Sequence, residues 1–198
     1  MVVIGLGNPG TKYSRTRHNV GFEAVELFSD RAGIPLSKGL GKKYRAGEGR
    51  CCGRKAVCVQ PYTFMNRCGD IVPVLIRKFQ ATADNIIVIC DNLDLEPGIC
   101  RVKKGGSDAG HNGLASLIRA YGTGDFIRVY VGIGRPEHKS AVVSHVLGTP
   151  KGEERKRLDE GTGRAAEAVY RLFEEPLERV MNEFNRKQAP GADSDLSP

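Results

Sequence analysis

The 198-residue sequence predicts an α/β fold: a single domain on a twisted, mixed, mostly parallel sheet with helices on both faces. Three observations carry this. Short β-branched runs at 1–4, 85–90 and 126–133 are interleaved with segments whose apolar residues recur at helical spacing. The run NIIVIC (85–90) is apolar without alternation, as in a strand covered on both faces. Residues 43–49 and 54–60 flank Cys51-Cys52-Gly53 as the arms of a hairpin, which adds antiparallel pairing to a sheet otherwise connected through helices.

In chain order, residues 1–4 form a buried strand followed by a glycine turn. A helix begins near Asn19, with Val20, Ala24, Leu27 and Phe28 on one face and Gly33 as its stop. After the hairpin, residues 61–66 make a loop. Residues 69–79 then form an amphipathic helix through Ile71, Val72, Leu75 and Ile76. The NIIVIC strand ends abruptly in Asp91-Asn92-Leu93-Asp94. Residues 99–102 are a further strand, 103–113 a glycine-rich loop, and the helix from there to Tyr121 turns Leu114, Leu117 and Ile118 inward. Residues 126–133 alternate as a half-buried strand. A short helix near 140–147, a long charged one over 151–173 and a last one over 177–185 complete the domain, 1–187; residues 188–198 read as a disordered tail.

The chain carries 30 basic and 23 acidic residues, a formal charge of +7 and a pI near 9.2. This excess fits a polyanionic partner such as nucleic acid, and on charge alone it fits a merely soluble basic protein equally well. No run approaches the roughly 20 apolar residues that span a bilayer, and the chain enters a strand at once, so no membrane role is expected and the cytoplasm is. The six cysteines form no C-x-x-C pair and no histidine lies at a finger spacing, which argues against a zinc site and for a reducing compartment. Cys58 and Cys90 read as buried apolar residues, while Cys51-Cys52 sits in a turn, open to reaction but without an assigned role.

Residues 5–10 (GLGNPG) satisfy G-x-G-x-x-G, but dinucleotide binding requires a helix that opens directly on the glycines. Residues 11–18 carry no helical stripe, and Glu23 and Glu26 follow too closely to serve as a ribose carboxylate. The turn is therefore expected to present side chains at the carboxyl edge of the first strand, where open α/β sheets bind ligands. It offers Asn8, Tyr13 and His18, with His18 as the leading general base. The loop after the hairpin offers Phe64 and Asn66, the end of the NIIVIC strand Asp91 and Asp94, and the glycine loop His111 and Asn112. An imidazole whose tautomer a carboxylate fixes, with amide donors for a carbonyl or oxyanion, suits base-activated chemistry. Structural roles stay open: Asn8 as a cap of the glycine turn, Asn112 as the N-cap of the next helix, His111 as packing. No serine lies in G-x-S-x-G and no cysteine in a loop beside a histidine. Water is thus the expected nucleophile and hydrolysis the outcome.

The segments GLGNPGTKYSRTRHNVGF (5–22), PYTFMNRCG (61–69), DNLDLEPG (91–98), GHNGLASLI (110–118) and GIGRP (132–136) closely resemble those of the bacterial-type peptidyl-tRNA hydrolases, in order and spacing. The resemblance implies a usually monomeric α/β enzyme, using neither cofactor nor metal, that cleaves the ester between a nascent peptide and the 3′-terminal ribose of tRNA. By position it implies His18 as general base, Asp91 as its supporting carboxylate, and Asn8 as the group that separates blocked from free aminoacyl ends. It implies that Tyr13, Phe64, Asn66 and Asn112 contact the tRNA end and the peptide, beside His111. Lys103 matches one half of a basic clamp on the 5′-phosphate. The other half, usually Arg, is Tyr130 here; Arg128 on the same strand face, or Lys104, is the expected substitute. Asp108, Cys68 and Asn92 are further departures, none at the base or its partner. The alternative reading is an inactive RNA-binding relative on the same scaffold, and a third is a nucleotide-dependent enzyme that uses the glycine turn.

Overall fold

The structure, a computed structural model, describes residues 1–39 and 41–186; the tail expected at 188–198 lies outside them. Its strands are β1 (Val2–Gly5), β2 (Ser37–Lys38), β3 (Tyr44–Cys51), β4 (Arg54–Pro61), β5 (Ile86–Asn92), β6 (Cys100–Lys104) and β7 (Ile127–Gly132). They form one sheet in the order β2-β3-β4-β1-β5-β7-β6. The inner strands β4, β1, β5 and β7 run parallel, while β2 with β3, β3 with β4, and β6 with β7 are antiparallel. The helices are α1 (Val20–Arg31), α2 (Val72–Phe79), α3 (Asn112–Tyr121), α4 (Val142–Val146), α5 (Gly152–Glu174) and α6 (Leu177–Phe184). Among the described residues no helix is long and apolar enough to cross a membrane.

Alternation along the inner strands divides the core into two layers. Val3, Ile87, Ile89, Val129 and Val131 pack with α1, α5 and α6, where the rings of Phe28 and Phe173 stack at 5.6 Å. Val2, Ile4, Ile86, Val88 and Cys90 pack with Leu75 of α2 and with Leu114 and Leu117 of α3. β5 is thus covered on both sides, which is why its sequence shows no polar alternation.

Some local expectations change. Leu27 is 45% exposed, because the stripe that covers the sheet runs through Val20, Gly21, Ala24, Val25 and Phe28. Ile76 is 43% exposed. A 3₁₀ segment, Met65–Ile71, precedes α2 with fewer residues per turn, so the apolar face is rotated and Phe79 closes it instead. The short exposed strand β2 was not anticipated. The hairpin closes on Cys52-Gly53, whose φ values of 49° and 75° are those a tight I′ turn requires. β3 therefore runs on through Cys51, which faces the core. Burial there, with a hydrogen bond between the Cys51 and Cys52 thiols, pushes the Cys51 thiol up to about 12, away from the thiolate form.

Gly5 and Gly21 let α1 start directly against the sheet. A Cβ at Gly5 would lie 2.2 Å from the Gly21 carbonyl oxygen; one at Gly21 would lie 2.4 Å from that of Ile89 and 2.5 Å from that of Leu6. This backbone-on-backbone seat places residues 17–19, just before α1, beside β5. Gly21→Ala is expected to lower stability by about 1–3 kcal/mol through overpacking. Urea denaturation checks this as a lower midpoint at unchanged slope; a wild-type midpoint would show that α1 can lift at no cost.

Candidate active site

His18 lies in the 3₁₀ turn Arg17–Asn19, between the glycine turn and α1. No α-helix opens on the glycines: a 3₁₀ turn, Thr11–Tyr13, follows them, and α1 begins at Val20. The chain is pinned on both sides of the histidine. The Arg17 N–H donates to the Gly148 carbonyl at 3.1 Å, and the Arg17 guanidinium grips Glu154 in a fork at 2.6 and 2.7 Å. Its Nη1 also reaches the His145 carbonyl at 3.0 Å. On the other side Asn19, buried, accepts from the Asn8 N–H at 2.9 Å and donates from Nδ2 to the Asn8 carbonyl at 3.0 Å. Asn19 was not marked by the sequence; its one signal is a polar residue set immediately before an apolar helix.

His18 Nδ1 donates to Asp91 Oδ1 at 2.7 Å, and His111 Nε2 donates to the same oxygen at 3.0 Å. The tautomers follow from the remaining partners. His111 Nδ1 accepts the N–H groups of Gly113 at 3.1 Å and Leu114 at 3.2 Å, so its proton resides on Nε2. His111, not Asn112, is therefore the N-cap of α3. With Nδ1 of His18 committed to Asp91, its Nε2 is the nitrogen left to take up a proton. Asp91, near the end of β5, is 4% exposed. Burial by itself would raise its carboxyl, but the charge and hydrogen bonds of His18 and His111 outweigh burial and hold it far below the ordinary carboxylate range. Burial by itself would lower His18; the charge and hydrogen bond of Asp91 outweigh this too, and the imidazole ends above its ordinary 6.5. The three ligand-type atoms lie within 4.8 Å of one another, a span a metal ion could bridge. Both ring nitrogens are directed at the Asp91 oxygen itself, so the cluster is closed by its own charge-assisted hydrogen bonds.

Asn8 is buried, and its Oδ1 accepts the Met65 N–H at 2.8 Å. Its side chain thus bonds a distant loop instead of capping its own turn, and Nδ2 is left as the donor. Beside Met65, Phe64 is 58% exposed and meets Tyr13 edge to face at 6.4 Å. Gly113 allows this loop to approach His111: a Cβ there would lie 2.5 Å from Met65 Sδ and 3.0 Å from His111 Cε1. Asn66 and Asn112 are exposed. A cleft opens beside His18, Asp91 and His111, with Tyr130, Val143 and Val146 in its wall. The two valines come from α4, too short for its sequence to reveal a face.

The two residues expected at the 5′-phosphate lie back along the sheet from Asp91. Lys103 is exposed on β6 and pairs with Arg128, whereas Asp91 pairs with Val131, farther along β7. Arg128, expected as a phosphate ligand, is wholly buried. Its Nη1 donates to the Ser107 carbonyl at 2.5 Å and to Tyr130 Oη at 3.2 Å; its Nη2 donates to the carbonyls of Gly106 and, at 2.9 Å, Gly124. Strand alternation placed Arg128 on the right face, but the glycine loop folds over its guanidinium and takes its donors.

A family model described as "Peptidyl-tRNA hydrolase" matches residues 2–191. The peptidyl-tRNA hydrolase of Brevibacillus brevis is 44% identical over 186 residues, 93% of this chain and 97% of that protein. The one from Shouchella clausii is 43% identical over 186 residues, 93% of this chain and 99% of that protein. A crystal structure of peptidyl-tRNA hydrolase from Acinetobacter baumannii superposes with a TM-score of 0.89 at 35% identity, covering 94% of this chain and 95% of that one. The glycine turn that presents side chains, the imidazole–carboxylate pair at the strand ends and these whole-length matches agree: the chain belongs to the peptidyl-tRNA hydrolase family.

Proposed function

We propose that this chain hydrolyses the ester between a peptide and the 3′-terminal ribose of tRNA, with His18 activating the water. The observation that carries this reading is the hydrogen bond from His18 Nδ1 to a buried, ionised Asp91, which leaves His18 Nε2 as the base. Nε2 takes a proton from water as the oxygen attacks the ester carbonyl. Asp91 stabilises the imidazolium that forms, and the imidazolium then returns the proton to the departing ribose oxygen. The amides of Asn66 and Asn112 supply donors for the developing oxyanion and the peptide. Asn8, its oxygen occupied by Met65, offers only N–H donors. It therefore favours the carbonyl of an N-blocked substrate over a free ammonium, which has nothing to accept with. Tyr13 and Phe64 give the terminal base a stacking surface, and Lys103 meets the 5′-phosphate. The apolar wall of Tyr130, Val143 and Val146 takes peptide side chains.

The enzyme acts as a monomer in the cytoplasm and needs neither metal nor cofactor, because an imidazole and its carboxylate suffice to activate water. A nucleotide-binding use of the glycine turn lacks the helix N-terminus it requires. An inactive RNA binder would have no use for a buried carboxylate orienting a base.

His18→Ala is expected to lower kcat by about 10²–10⁴ with the fold intact. Release of free peptide from purified peptidyl-tRNA measures this, and near-normal turnover in the folded variant would remove His18 from the mechanism. Since the base must be neutral and its pKa is raised, kcat/KM should climb with pH along an acid limb whose midpoint lies above 6.5. Asp91→Asn should move that midpoint down; an unmoved limb would separate the two residues. Binding of tRNA should weaken with salt by roughly 0.7–0.9 log units per log unit for each phosphate contact, and Lys103→Ala should remove about one contact from the slope. An identical slope in that variant would take Lys103 off the RNA path.

A further inference from the structure

Arg128 is a fully buried cation, and among the described residues no carboxylate pairs with it. Buried arginines ordinarily neutralise an acid, since an uncompensated interior charge is expensive. This one is solvated by four neutral oxygens, and two of them, the carbonyls of Gly106 and Ser107, belong to the glycine loop. The third carbonyl, Gly124, follows α3 and ties the loop to that helix's far end.

The loop needs such a clamp. Gly105, Gly106, Ala109 and Gly110 all have positive φ, at 72°, 112°, 48° and 80°. Such a path persists only where its surroundings over-determine it, most of all at Ala109, which has a Cβ. Beyond the clamp the chain closes on itself. The Gly110 N–H donates to Asp108 Oδ1 at 2.7 Å and the His111 N–H to the Asp108 carbonyl at 2.9 Å. The next group out is the His111 imidazole on Asp91. Tyr130 Oη, 3.2 Å from Nη1, aligns the guanidinium from the strand side. A planar fork can satisfy these separated carbonyls at once; a lysine ammonium is a point charge and cannot.

We propose that Arg128 is a positioning residue: by stapling the carbonyls of Gly106, Ser107 and Gly124 it fixes the loop that delivers His111 to Asp91. The consequence for catalysis rests on the reading in which Asp91 orients His18, but the placement of His111 does not. Two readouts therefore apply to Arg128→Met. In folded protein kcat should fall by roughly 10–100-fold, as for a remote change that misplaces a catalytic group by about an ångström. In proton NMR the low-field Nε2–H resonance of His111, assigned with His111→Gln, should vanish while that of His18 Nδ1–H persists.

A merely structural arginine gives a different result: a lower melting temperature with kcat and the His111 resonance retained in the folded variant. That result overturns the proposal. If Arg128→Met does not fold, Gly124→Ala replaces it. Its Cβ would lie 2.6 Å from the Gly106 carbonyl oxygen and 2.9 Å from an Arg128 guanidinium nitrogen, so it displaces the staple and keeps the charge. The same loss of kcat and of the His111 resonance supports the proposal, and retention of both overturns it. If His18→Ala proves fully active, the functional reading fails and the NMR arm still decides the role of Arg128.

Discussion

Asp91 Oδ1 accepts hydrogen bonds from two imidazoles that reach it from opposite directions along the chain, one 73 residues before it and one 20 residues after. The geometry of the site follows from that one oxygen. It must stay ionised although buried, and two donors on a single lone-pair region achieve this against the pull of burial. In return it fixes which nitrogen of each ring carries a proton. His18 is turned to present Nε2, and His111 is turned to spend Nδ1 on the first amides of α3. A helix N-terminus and a buried carboxylate thus share one side chain, so the start of α3 and the setting of Asp91 cannot vary independently.

The sheet meets this demand by burying its parallel strands on both faces and leaving their carboxyl ends open. β5 brings Asp91 to that edge, and the glycine contact of α1 with β1 and β5 brings His18 to the same place. The Arg17–Glu154 fork ties the residue before His18 to the first turn of α5. It is half-buried and bidentate, the kind of ion pair that holds geometry better than exposed pairs do.

Much of this was legible in the sequence because it depends on local pattern. The doubly covered strand follows from the unbroken run IIVIC, and the junction of that run with Asp91 marked a strand end at an open edge. The pairing of His18 with Asp91 needed more than pattern: the two are far apart in sequence, and motif order supplied the connection. What stayed hidden depends on what covers a residue. Alternation put Arg128 and Tyr130 on one face, but it carries no information that the chain at 105–107 folds over that face. Asn112 looked the better helix cap because amides commonly cap; the sequence could not show that Asp91 draws His111 Nε2 and frees its Nδ1 for the amides. Leu27 and Val25 differ only in which side of a stripe is pressed on the sheet, and the glycine seat at position 21 decides that.

Strand polarity at the sheet's edge has a mechanical result. β6 runs against β7, so Lys103 emerges three residues back along β7 from the partner of Asp91, about 10 Å away at the rise of a β-strand. The polypeptide must then travel back up the sheet before α3 can begin. That return stretch joins an exposed ammonium at one end to an imidazole on the buried carboxylate at the other. Because Arg128 grips the carbonyls of Gly106 and Ser107 between those ends, the ammonium and the imidazole are held at a set separation along the sheet's edge.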